Sequence, residues 1–202
     1  MAAGAERNQS AGRLVLVPVT RAKGFLLHIL FVCTGNICRS PIAERLAVAY
    51  ARDRVPGFSA SSAGTRAIID HSIHREAALV LEALGGASAD FAARRLTAKI
   101  SADADLILTM TKAHRDRVLE IAPNQLNRTF TLSEAAGLVS TFNAQTIADL
   151  AEFRSQVGAH GGVDIPDPIG QSARVFAEIG SQIADLLAPV MELCQRASNC
   201  PD

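Results

Sequence analysis

Cys33 and Arg39 stand six positions apart in Cys33-Thr34-Gly35-Asn36-Ile37-Cys38-Arg39-Ser40-Pro41, and the residue types between them suit one chemistry. A thiol attacks as its thiolate, which neighbouring N–H donors and a cation stabilise. The same donors, supplied by a tight turn of backbone through Thr34, Gly35, Asn36, Ile37 and Cys38, would bind three oxygens of a phosphate. Gly35 can take up positive φ, and Asn36 tolerates a left-handed conformation better than most residues. Arg39 offers a planar fork for two phosphate oxygens and the charge that grows on them. Ser40 can donate a hydrogen bond to the sulfur, which helps the sulfur leave in a second step. A lone buried cysteine is ordinary core. With these neighbours it reads as a nucleophile at the floor of a phosphate cradle.

A second chemical element lies far along the chain, in Val163-Asp164-Ile165-Pro166-Asp167-Pro168-Ile169-Gly170. Each proline restricts itself and the residue before it, so the carboxylates are held reproducibly. A phosphate ester needs a proton on its leaving oxygen, and a positioned carboxylic acid can give one and later deprotonate a water. Geometry read from sequence does not separate Asp164 from Asp167.

These residues need elements to position them. The apolar run Phe25 to Val32 predicts a buried strand, so Cys33 falls at its carboxyl end. Open α/β sheets bind ligands there, and helix N-termini gather anions. Ser40-Pro41 predicts the opening of a helix to about Arg52. Further strands are predicted at Phe58–Ala63, Ala104–Met110 and Thr129–Leu132. Helices are predicted at His71–Leu84, Thr111–Ile121, from Ser133-Glu134, at Gln145–Gln156 and at Gln171–Arg196, the last with a kink at Pro189. The alternation predicts an α/β domain around a parallel sheet. Residues 1–24 read as a flexible N-terminal extension, 25–196 as the domain and 197–202 as a C-terminal tail. Gly158-Ala159-His160-Gly161-Gly162 looks mobile.

The Cys33 segment closely resembles the active-site signature of the low-molecular-weight protein tyrosine phosphatases, in which Cys, five residues and Arg precede Ser-Pro. The resemblance implies a four-stranded parallel sheet flanked by helices on both faces. It also implies a cysteinyl-phosphate intermediate, with Cys33 attacking phosphorus and Arg39 binding phosphoryl oxygens. It assigns the general acid to Asp167 and gives Ser62, in Ser62-Ala63-Gly64-Thr65, a part in supporting the phosphate loop. Phe91 departs from the pattern, standing where a His that braces the loop often appears. Ile169 stands where a Tyr is frequent, and the chain has no Trp and one Tyr, Tyr50. A branch acting on phosphoarginine has Thr where this chain has Ile37, so the bulkier residue favours a phosphotyrosine protein as substrate.

Lys and Arg equal Asp and Glu at 20 each, which gives no electrostatic case for nucleic acid. No apolar run reaches the roughly 20 residues of a membrane span. The expected partners are therefore a phosphorylated protein or small phosphate ester, with phosphate or a similar oxyanion in the site, and no nucleic acid or membrane insertion. No cofactor and no metal is expected, His71 and His74 lacking a third ligand. Four Cys in 202 residues are not a disulfide framework, and a working thiol favours the cytoplasm. Cys38 could trap oxidised Cys33 as a disulfide, whereas Cys194 and Cys200 read as a packed and a tail residue. Three other readings are open. They are a protein arginine phosphatase, a non-catalytic phosphate-binding module, and an arsenate reductase drawing on an outside thiol, no Cys lying between Cys38 and Cys194.

Overall fold

Leu27–Cys33 is the first strand, β1, and its side chains alternate between two separate cores. Ile29, Phe31 and Cys33 face one, while Leu30 and Val32 face the other. A strand buried on both faces must be apolar throughout, which is why this stretch reads as a continuous run. The computed structural model that shows this describes residues 26–156 and 162–199. The expected extension at 1–24, most of the glycine-rich stretch at 158–162, and Cys200 lie outside the described residues.

Three further strands join β1 in parallel: β2 (Phe58–Gly64), β3 (Leu106–Thr109) and β4 (Thr129–Thr131), in the order β2-β1-β3-β4. The helices are α1 (Arg39–Ala51), α2 (Arg75–Ala83), α3 (Ala98–Ala102), α4 (Lys112–Ile121), α5 (Leu132–Phe142), α6 (Ile147–Phe153) and α7 (Ala173–Asn199). Helices α1, α2, α5, α6 and α7 cover the face with Phe31 and Leu108, and α3 and α4 cover the face with Val32 and Ile107. The three-layer arrangement expected from the sequence is therefore present.

The strand order places the site. The chain leaves β1 for β2 on one side and later returns to β3 on the other. A switch point consequently opens between the carboxyl ends of β1 and β3, where neighbouring connections diverge to opposite faces. The segment after β1 and the segment after β3 both end in that crevice.

Several boundaries differ from expectation for tertiary reasons. Helix α1 starts at Arg39, not Pro41, so the proline sits in the first turn, where its missing N–H costs nothing. Helix α2 begins at Arg75 although helical spacing reaches back to His71. His74 is its cap, its ring accepting from the Glu76 N–H at 3.3 Å, and the His74 N–H donates to the Ile37 carbonyl at 2.7 Å. A residue whose N–H is tied to the loop after β1 cannot donate within a helix. His74 also stacks on Phe176 with ring centroids 5.0 Å apart, so its ring is structural. Helix α5 starts at Leu132 behind a full capping box between Thr131 and Glu134. Helix α7 continues through Pro189 and on to Asn199.

Candidate active site

Residues 33 to 39 form a loop whose carbonyls point outward, and the segment after β2 holds them there. Thr65, Arg66, Ile68 and His74 donate their N–H groups to the carbonyls of Cys33, Thr34, Gly35 and Ile37 at 2.7–3.0 Å. The Cys38 carbonyl accepts from Ile42 in α1 at 3.1 Å. With the carbonyls turned out, the N–H groups turn in. Those of Thr34, Gly35, Ile37, Cys38 and Arg39 have no partner among the described residues, while that of Asn36 points at Cys33 Sγ, 3.3 Å away. This is an anion nest with a sulfur at its base.

The left-handed residue in the turn is Asn36, with φ of 58°, and not Gly35, whose φ is not positive. Asn36 is fully buried and its side chain is braced on three sides. Its Nδ2 donates to Ser40 Oγ at 3.0 Å and to Ser62 Oγ at 2.8 Å, and its Oδ1 accepts from the Arg94 N–H at 2.9 Å. Ser62 Oγ in turn donates to Glu44 Oε2 at 2.6 Å, and burial raises the Glu44 carboxyl above the usual range, against the pull of the Ser62 hydroxyl. Bracing thus persists without a His at position 91: Arg94 and Ser62 hold the loop, and Phe91 lies under the Arg45 guanidinium instead. Glu44 was not legible as part of this network, because on a helix it reads as a solvated position. At Gly64, a Cβ would stand 2.6 Å from the Thr34 carbonyl oxygen, so only glycine lets β2 approach the loop this closely.

Ser40 Oγ lies 2.9 Å from Cys33 Sγ. It accepts from Asn36 Nδ2, and its proton is free to be donated to the sulfur once that is a thiolate. Arg39 is 3% exposed and ties the loop to the distant acidic segment. Its NH1 donates to the Ile165 carbonyl at 3.0 Å and its NH2 to Asp167 Oδ2 at 2.6 Å, while its buried Nε has no partner among the described residues. Ile165, fully buried, donates its own N–H to the Met110 carbonyl at the end of β3 at 2.9 Å.

The cavity over the sulfur has a volume of about 280 Å3 and is walled by Ile37, Ile68 and Ile169 above Cys33, Arg39 and Asp167. Asp167 lines it and Asp164 does not. Asp164 accepts the Lys112 N–H at 2.8 Å, capping the start of α4 in a neighbouring cleft. Cys38 is in the wall of the Cys33 cavity. Burial pushes its thiol up to about 12, with Cys33 and Asp167 adding to the effect. It remains protonated at neutral pH, which makes it slow to attack an oxidised sulfur. Cys194 is buried within α7, its thiol likewise raised to about 12 by burial.

His114 is a site residue that sequence reasoning missed. Its ring bridges Thr34 Oγ1 at 2.8 Å and Thr111 Oγ1 at 2.9 Å. Thr34 Oγ1 lies 3.4 Å from Arg39 NH2. Burial, then the Arg39 charge, lower its imidazole to about 4, so the ring is neutral at pH 7. The available signal was faint: a histidine in the first turn after a strand end. Among the described residues no three His, Cys, Asp or Glu gather as a metal site, and His71 and His74 gain no third ligand.

The sequence profile of the low molecular weight phosphotyrosine protein phosphatases matches residues 28–198. The low molecular weight protein-tyrosine-phosphatase Etp of Escherichia coli strain K12 is 42% identical over 106 residues, covering 52% of this chain and 69% of its own. Two solved structures are similar over most of the chain. Vibrio vulnificus Wzb in complex with benzylphosphonate is 25% identical with a TM-score of 0.65, covering 83% of this chain and 99% of its own. The YwlE arginine phosphatase of Geobacillus stearothermophilus is 28% identical with a TM-score of 0.63, covering 82% and 91%.

Proposed function

The chain belongs to the low molecular weight phosphotyrosine protein phosphatase family and is a phosphatase, and from that premise we propose that it hydrolyses protein phosphotyrosine with Cys33, Arg39 and Asp167 as its catalytic residues. The observation that carries this reading is the loop's polarity. Its carbonyls are engaged outward and its N–H groups converge with Arg39 on the space above Cys33 Sγ.

In the first step the Cys33 sulfur forms a bond to phosphorus as the bond to the tyrosine oxygen breaks, and Asp167 gives that oxygen its proton. The N–H groups of Thr34, Gly35, Ile37, Cys38 and Arg39, with the Arg39 fork, hold the three equatorial oxygens, while the Asn36 N–H stays on the sulfur. In the second step water attacks phosphorus and loses a proton to Asp167. The S–P bond breaks, Ser40 stabilises the departing sulfur through its 2.9 Å contact, and inorganic phosphate leaves. Arg39 now pairs with Asp167, so an incoming phosphate competes for the fork and frees Asp167, which takes up a proton and, as the carboxylic acid, turns toward the leaving oxygen.

The aliphatic walls of Ile37, Ile68 and Ile169 give an apolar slot for a phenyl ring without any aromatic residue. The benzylphosphonate bound by Vibrio vulnificus Wzb has the same ring-and-phosphate character. A phosphoarginine substrate is the second reading, favoured by the likeness to the arginine phosphatase and opposed by Ile37, which offers a guanidinium no polar partner. No helix among the described residues is long and apolar enough to cross a membrane, and a free-thiol site suits the reducing cytoplasm.

The test is phosphate release from an aryl phosphate, a phosphotyrosine peptide and a phosphoarginine peptide with chelator present. Turnover in wild type and none in Cys33→Ser is expected, with the tyrosine peptide ahead of the arginine one. Turnover that survives Cys33→Ser would overturn the assignment of the nucleophile.

A further inference from the structure

Beside the cavity over Cys33 lies a larger open cleft of about 570 Å3. Its size is within the roughly 300–1,000 Å3 of ligand-binding clefts. Thr34, Arg39, Arg66 and Asp167 line both spaces, so the two meet along one seam. Beyond that seam the cleft is walled by Thr65, by Thr111, His114 and Arg117 at the start of α4, and by Asp164.

Most of the charge facing this cleft is already engaged. Asp167 pairs with Arg39 at 2.6 Å, Asp164 caps Lys112 at 2.8 Å, and Arg117 pairs with Glu120 at 2.6 Å. The His114 ring is neutral at pH 7 and held between two threonines. Arg66 differs. Its side chain has no hydrogen-bond or ion-pair partner among the described residues, and it is exposed. Its backbone is nonetheless fixed, the N–H donating to the Thr34 carbonyl at 2.9 Å next to the Thr65–Cys33 bond of the same length. A cation is thus anchored to the phosphate loop, without a partner among the described residues, on the seam between the phosphate's cavity and the larger cleft.

We propose that Arg66 and this cleft form a specificity subsite for an acidic side chain, Asp or Glu, flanking the phosphorylated residue of the substrate. The proposal rests on the reading that the substrate's phosphate occupies the Cys33 loop. A peptide whose phosphorylated side chain fills the smaller cavity must carry its neighbouring residues over the rim. A carboxylate there meets a planar guanidinium fork with no competitor, and the Thr65 and Thr111 hydroxyls add polar surface. A lysine there meets an uncompensated like charge. The chain has no net charge to steer substrates globally, so selection by charge has to be local.

The experiment compares phosphotyrosine peptides that differ only in carrying Glu, Gln or Lys beside the phosphorylated residue, on wild type, Arg66→Ala and Arg66→Glu at low ionic strength. In wild type kcat/KM should fall in the order Glu, Gln, Lys, with about two- to fivefold at each step, as exposed charge pairs give. Added salt should compress the series. Arg66→Ala should bring the three peptides close together, and Arg66→Glu should reverse their order. An unchanged series in Arg66→Ala, or no series in wild type, would overturn the subsite. An aryl phosphate run alongside separates the two levels. If wild type turns it over while Arg66 has no influence on the peptides, the subsite alone fails; if wild type turns over neither, the phosphatase reading fails with it.

Discussion

Asp164 and Asp167 stand three residues apart and both border the open cleft, yet only Asp167 also borders the cavity over Cys33. Asp167 bonds Arg39 and borders the cavity over Cys33, whereas Asp164 caps α4. The two prolines make this division stable by fixing the backbone between them. Asp167→Ala should therefore slow hydrolysis by about 100-fold or more, the scale of a lost general acid, and most for substrates with poor leaving groups. Asp164→Ala should cost little in rate. Steady-state kinetics with a series of aryl phosphates of graded leaving-group pKa checks this, and equal loss in both variants would return the acid role to either residue. Ser62 and Glu44 act one layer further out: neither touches the sulfur, but both fix Asn36, whose left-handed backbone turns its N–H toward it.

Helix α4 contributes through one side chain. Its N-cap Thr111 bonds the His114 ring, and the ring carries that constraint to Thr34 beside Arg39. The histidine is 7% exposed and its folded-state value of about 4 lies below the unfolded value near 6.5. Between those values the unfolded chain binds a proton that the folded chain does not. Stability from this group is thus complete above pH 6.5 and is lost as pH falls toward 4. The loss should reach about 2 kcal/mol between pH 7 and pH 5. His114→Asn should remove that part of the pH dependence in urea unfolding, while lowering stability at pH 7 through the lost bridge. An identical slope in both proteins would mean that the ring is accessible to protons in the folded state.

At the scale of the molecule, the parallel sheet separates two cores and gathers its chemistry at one end. The segments that build the site come from positions 33–40, 62–74, 110–114 and 164–169, brought together because β1 and β3 are neighbours with diverging connections. An oxyanion filling the loop satisfies the inward N–H groups and the Arg39 Nε in the folded state only. Phosphate at 100 times its Kd should consequently raise unfolding stability by about 2.7 kcal/mol, and Cys33→Ser should keep most of that gain because the nest is backbone. Thermal unfolding with and without phosphate measures it; no shift at saturating phosphate would count against the loop as an anion site.

What the sequence determined by itself was local. The gathering of Cys33, Arg39 and Ser40 was readable because it depends on residues within one loop, and the alternation of strands and helices was readable because periodicity records which faces are buried. The stiffness of the Asp-Pro segment was readable for the same reason, since proline acts on its own backbone. Tertiary structure decided the rest. Choosing Asp167 over Asp164 as the carboxylate above Cys33 required the contact between residues 128 positions apart. The start of α2 was displaced by a bond from His74 to Ile37 that no helical pattern records. Asn36, not Gly35, took the left-handed turn because Ser40, Ser62 and Arg94 together hold its side chain. His114, Glu44 and Arg66 gained their places from strand order, which brings distant segments to one edge of the sheet. Side-chain patterns along a chain encode burial and turn chemistry, but which polar groups meet across a sheet edge is set only when the strands have paired.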